Sequence, residues 1–395
     1  MGRQFDELMQ KADAVPVLRS NAGRIVVAQK AEGARVFDVD NVGFIDYIGA
    51  GGSTIVGYAN QFVLDAVRKV LSGGVPEGFH VPLEVELSET LGRFIPWVES
   101  WWFCRSQDEA FRNVLDWARH KTGKKRFLVL DGGAPLRVGA PPDLAIDPSN
   151  PIREVRGWDV DKIIAALTSG GSKIAALILD PLMGRFGVIP PPDGALEEIA
   201  GACRDNDVLL VLDERVTGFR VDRGGAAARA GIVPDAAVYG AALGGGFPIG
   251  VVGFQRGQPP FSSFDPLPTP HPVALAAAEA ILSILKNDAV YEQLEKRTDQ
   301  LVEGLLALAD RTSIAFGELV HDEVMDLSQA SGFMEPVFVD PFWLDTESDV
   351  AGNGVIVEKD LLRHIGDVAP PRRNILLPDH SSIDRQHPLL RRYQS

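Results

Sequence analysis

Cysteine is nearly absent: Cys104 and Cys203 are the only two in 395 residues. That excludes a disulfide framework and a cysteine-rich metal site, and it fits a reducing compartment. The zinc spacings Cys-x-x-Cys and His-Glu-x-x-His are missing as well, so no metal is expected. Positive charge is also scarce. Lys and Arg number 39 against 54 Asp and Glu, a net charge of -15, with no basic block. Nucleic-acid phosphates would be repelled by such a balance, and no nucleic-acid partner is expected. No run approaches the roughly eighteen apolar residues of a membrane span. The first residues, MGRQFDELMQ, have no basic start followed by an apolar core, so no signal peptide is expected. A myristoyl signal fails too, because Asp6 stands where Ser or Thr is needed. The expectation is a cytoplasmic protein without a membrane partner.

What the chain does have is punctuation, 40 glycines and 27 prolines, with apolar runs between them. Arg126–Asp131, Lys173–Asp180 and Asp207–Asp213 are short, continuously apolar, and end in aspartate. Continuous rather than alternating hydrophobicity predicts strands buried on both faces, as in a parallel sheet. Between them, Glu109–His120, Val160–Leu167 and Ala195–Asn206 carry the 3.6-residue period of helices. An Ala-rich helix is predicted over Pro272–Lys286 and another over Tyr291–Ala309. Strands alternating with helices predict an α/β domain with a mostly parallel, doubly wound sheet. Functional groups in such sheets collect at the carboxyl ends of the strands, where the three aspartates fall.

Four stretches carry a resemblance. Asp38–Asn60, Glu84–Ser100, Leu177–Arg220 and Pro234–Phe254 resemble the class III aminotransferases, above all the glutamate-1-semialdehyde aminomutases. The likeness runs from about Phe5 to about Leu285 and then fades. It implies pyridoxal-phosphate fold type I, with a large α/β domain and a smaller C-terminal α+β lobe. The regions expected are an N-terminal segment with a β-meander over 1–50, the large domain over 51–285, and the lobe over 286–395. By family habit it also implies a homodimer with its pocket at the subunit interface.

The resemblance further implies four supports for the cofactor, and this sequence departs from each. The string Gly240-Ala241-Ala242-Leu243-Gly244-Gly245-Gly246 has Ala241 in place of the Schiff-base lysine. An alanine methyl can neither condense with an aldehyde nor shuttle a proton. The phosphate cup, Ser-Gly-Thr-Glu-Ala in the family, here reads Ser106-Gln107-Asp108-Glu109-Ala110. Gln107 removes a glycine's freedom, and Asp108 puts a carboxylate beside the phosphate. At about 4 Å and an effective dielectric near 20, like charges cost roughly 4 kcal/mol before screening. Asp108 is therefore expected to serve as a helix cap. Gly133-Ala134-Pro135 leaves Ala134 where a stacking aromatic belongs, and Leu267 replaces the threonine lent by the partner subunit. Arg215 replaces the apolar residue against the cofactor ring. Only Asp213 survives, aligned with the carboxylate that holds the pyridine nitrogen. Its alternative role is to satisfy backbone N–H groups or to pair with Arg215 or Arg220.

These departures lead to the expectation that the chain has lost pyridoxal phosphate and holds no cofactor. Three readings follow. The first is an enzyme that converts a small anionic metabolite in the vacated pocket. Asp213, Arg215, His80 and His271 would supply its acid–base and catalytic groups, and Arg105, Ser106 and Arg215 would bind the substrate. The second is a non-catalytic dimer partner or scaffold, including a heteromer with an active homologue. The third keeps pyridoxamine phosphate bound without a covalent bond. Cys104, ahead of the phosphate helix, is a further candidate thiolate.

Overall fold

The computed structural model describes residues 3–5, 7, 27–131, 153–156, 158–183, 189–255 and 270–312. Three short antiparallel strands come first, in the order β1 (Ala28–Glu32), β2 (Arg35–Asp38), β3 (Gly43–Ile45). They form the expected β-meander. After the short α1 (Gly49–Gly52), helices α2 (Gln61–Ser72) and α3 (Pro82–Phe94) lead to a second, central sheet.

That sheet has seven strands, defined here in chain order. They are β4 (Ser100–Cys104), β5 (Arg126–Asp131), β6 (Arg153–Arg156), β7 (Ile174–Leu179), β8 (Leu209–Glu214), β9 (Ala236–Tyr239) and β10 (Gly250–Phe254). Their spatial order is β4-β10-β9-β8-β7-β5-β6, and β10 alone runs antiparallel to its neighbours. The remaining helices are α4 (Gln107–Thr122), α5 (Val160–Gly170), α6 (Ala195–Asp205), α7 (Gly225–Arg229), α8 (Ala241–Gly244), α9 (Pro272–Leu285) and α10 (Asp288–Thr312). The expected mostly parallel α/β sheet is observed, and the predicted strands and helices match to within a few residues.

Two apolar layers explain the continuous hydrophobic runs. Leu128, Leu130, Leu177, Leu179, Leu210 and Leu212 face one layer, which includes α3, α5, α6 and α9. Their strand neighbours Phe127, Val129, Ala176, Ile178 and Val211 face the other, filled by α4 through Phe111, Val114, Leu115 and Trp117. A one-residue slip of any central strand would exchange the two sets, so the register is fixed by packing. Each fully buried Leu or Phe contributes roughly 1.5–3 kcal/mol to holding it. Helix α9 is Ala-rich because it is buried nearly all round, against α2, α3 and α8. The carboxyl ends of β7, β8 and β9 are thereby set side by side. Of the expected lobe over 286–395, only α10 and the residues just before it are described; residues 313–395 lie outside the described residues.

Candidate functional site

Helix α4 begins immediately behind β4, and its first turn forms one wall of the site. Ser106 is its N-cap, and the Ser106 hydroxyl accepts from the Glu109 N–H at 3.1 Å. Glu109 in turn accepts from the Arg105 N–H at 2.8 Å, a reciprocal cap of the Ser-x-x-Glu kind. The expectation that Asp108 caps the helix is corrected: Ser106 holds that position, and the Asp108 side chain is 83% exposed in the first turn. Gln107 folds its side chain against the backbone of Gly240, leaving no room there for a Cβ. The step from β9 into α8 passes through this contact, and the next residue, Ala241, is buried.

Asp213 and Glu214 close the buried run of β8, and Arg215 opens the turn that follows. The Arg215 Nε donates to Asp213 Oδ1 at 2.7 Å, and Nη2 donates to Oδ2 at 2.6 Å. Both side chains are 5% exposed. The guanidinium lies over the Phe111 ring, 4.7 Å from its centroid, and Nη1 is 3.5 Å from Asp108 Oδ1. Burial works against the arginine's charge, but Asp213 first, then Asp108 and Asp180, outweigh it and hold the cation firmly protonated. Of the partners open to Asp213, Arg215 takes it. Arg220 instead donates to the carbonyl oxygens of Gly52 and Val216.

Glu214 points the other way and is fully buried. It accepts from the Thr217 hydroxyl and from the N–H groups of Ala226 at 3.0 Å and Ala227 at 2.7 Å. Burial lifts its carboxyl from 4.5 to about 7, against the pull of those donors. Gly225, at φ +75°, makes this possible, because a Cβ there would lie 2.6 Å from Glu214 Oε2.

The other expected residues are not brought to this point. His80 is 85% exposed and pairs with Glu84 at 2.9 Å, a helix-end contact rather than a partner for Asp213. His271 is the N-cap of α9, and its Nδ1 accepts from the Val273 N–H at 3.3 Å. Cys104 is fully buried, and burial first, then Glu109, pushes its thiol up to about 12, the opposite of a reactive thiolate. Arg105 and Ser106, expected to bind substrate, stand at the start of α4 beside Asp108. Ala134 and Leu267 lie outside the described residues. Sequence reasoning missed Phe111 beneath the guanidinium and Glu214 as an internal anchor. The Gly224-Gly225 pair was the signal for the second.

Residues 146–318 match the family model described as aminotransferase class-III. An omega-transaminase from Sphaerobacter thermophilus is similar over 78% of each chain, with 22% identity and a TM-score of 0.69. A transaminase with pyridoxal phosphate bound is 22% identical over 79% of this chain and 81% of that one, at a TM-score of 0.69. A lysine-to-alanine variant of a glutamate-1-semialdehyde aminomutase from Pseudomonas aeruginosa PAO1, in complex with pyridoxamine phosphate, is 23% identical. It covers 72% of this chain and 69% of that one, at a TM-score of 0.65.

The fold is that of the class III aminotransferases.

With it, the resemblance read from the sequence is borne out, and one expectation is corrected. The chain was expected to hold no cofactor. The class III match and the pyridoxal-phosphate-bound neighbour point to pyridoxal phosphate as the cofactor of this fold. Substitutions at single positions leave a scaffold standing around them. Asp213 at the end of β8, the N-terminus of α4 behind Ser106, and the glycine turn after β9 are all in place. The cofactor of the class III fold supplies an electron sink, and the protein supplies position and charge. In this arrangement the residues meet such a group unevenly. Asp213 has both oxygens on Arg215, and Gln107 fills the space beside Gly240. Ala241 offers no amine for a covalent bond.

Proposed function

We propose that this chain is a member of the class III fold without transaminase turnover of its own, acting through association with a second copy or with an active homologue. The observation that carries the reading is Ala241, buried at the start of α8, where chemistry of this kind needs an amine to bond the cofactor and move the proton. Two features support it. Arg215 is committed to Asp213, so it is not available as an arginine clamp for a small anionic metabolite. His80 and His271, which that alternative needs as acid–base groups, are occupied at helix ends.

Surface composition favours association. Among the described residues, eight of the nine exposed large hydrophobic side chains fall between Val42 and Val85. Phe62, Leu71, Phe79 and Val85 are each more than half exposed. Large apolar side chains left exposed in one stretch of the chain are candidates for an interaction face. Light scattering of the purified protein is expected to give the mass of a dimer, and Phe62→Asp with Phe79→Asp the mass of a monomer. A natural protein that stays monomeric, with or without an active homologue added, overturns the reading.

A further inference from the structure

We propose that the basic end of α4, with the start of β5 beside it, is a docking face for a short acidic segment of a partner protein. Total charge conceals a basic block, and the expectation of none is corrected. Arg119, Lys121, Lys124, Lys125 and Arg126 fall within eight residues that hold no acid. The net charge of -15 is thus +5 in this stretch set against -20 in the rest of the chain. Strand pairing adds a sixth cation, because the Arg126 N–H donates to the carbonyl oxygen of Lys173, just ahead of β7, at 3.1 Å. The 16 residues of α4 put about 24 Å between this end and Ser106, so the face is separate from the candidate site.

Cations in a last helical turn offset the helix dipole, and that role accounts for Arg119 and Lys121. It does not account for Lys124, Lys125, Arg126 or Lys173, which lie beyond the helix. Half of the six are held in place by packing. Arg119 lies over the Phe127 ring and Lys121 over the Trp117 ring, each 4.8 Å from the centroid. Lys124 Nζ donates to the Asp207 carbonyl oxygen. Cations held in this way lose little freedom when an anion arrives. Both rings are only 2% exposed, so nucleic-acid bases find nothing to stack on. The field of the patch reaches about 8 Å at physiological salt. A short run of carboxylates stays within that reach, whereas a nucleic-acid duplex or a lipid surface extends over the acidic remainder and is repelled. The ligand class is therefore an Asp/Glu-rich peptide.

Fluorescence anisotropy of the full chain with a labelled octaglutamate peptide tests this. Binding is expected to weaken with added salt, and to fall about tenfold or more in Lys125→Glu with Arg126→Glu at an unchanged melting temperature. The matching octaglutamine peptide should not bind. Equal affinity of the natural chain and the double variant for octaglutamate overturns the proposal, as does a natural chain that fails to bind it. Tighter binding of a DNA duplex longer than the patch, or of phosphatidylserine vesicles, overturns it too, because the face would then serve a phosphate surface. Should Arg126→Glu disturb β5, Lys125→Glu with Lys173→Glu carries the same comparison.

Discussion

Asp213 and Arg215 share one buried contact, so the loss of either strands the other. Arg215→Met leaves an uncompensated carboxylate at 5% exposure and is expected to cost about 3–5 kcal/mol, read from the urea midpoint. The double replacement Asp213→Leu with Arg215→Met should recover most of that loss. A double mutant as unstable as the single would show that the pair is not what the arginine serves. Glu214 gives a second prediction, in pH. Its folded carboxyl sits near 7 because of burial, above the ordinary 4.5 it regains on unfolding. The folded state therefore holds the proton more tightly. The contribution is fully present below about 4.5 and lost as pH rises through about 7, a change of about 3 kcal/mol. The stability difference between the natural chain and Glu214→Gln should slope across that window and be flat above it; a flat difference throughout contradicts the assignment. The Asp213–Arg215 pair was legible in the sequence, because an aspartate at a buried strand end needs a cationic partner and Arg215 stands two residues on. The anchoring of Glu214 left only the Gly224-Gly225 pair as a trace, since two of its donors are the backbone N–H groups of Ala226 and Ala227.

At the scale of elements, the long ones could be read and the short ones could not. Strands β5, β7 and β8 are continuous apolar runs closed by an acid, and α4 has a clear period with a Ser-x-x-Glu start. Helices α7 and α8, of five and four residues, are too short to show any period. They form because Glu214 and the glycine turn hold their ends. Gln107 stands where the family has glycine. Its packing on Gly240 joins α4 to the turn after β9, and such a pairing across distant segments leaves no local pattern. The cysteines test the packing of these elements. Cys104 ends β4 and Cys203 lies in α6, and burial raises each thiol to about 12. Neither should react with a thiol reagent until the protein unfolds. Reaction of Cys104 in the native state would return it to the list of candidate nucleophiles. His80→Ala should shift stability by no more than about 0.5 kcal/mol, as for an exposed helix-end pair.

At the scale of the whole molecule, the class III architecture was legible because its strand ends and glycine turns carry local signatures. The cofactor was not legible in the same way, because single substitutions such as Ala241 stand out in the sequence while the scaffold around them is formed by segments far apart in the chain. Among the described residues, no helix is long and apolar enough to cross a membrane. The central claim is that a site built on this scaffold, with Ala241 in place of an amine, does not turn over amino groups. The direct measurement is steady-state transamination by the purified protein, supplied with pyridoxal phosphate, a panel of amino donors and a keto-acid acceptor. The account predicts no product above that of the heat-denatured protein. Sustained, cofactor-dependent turnover that Asp213→Ala abolishes would contradict it.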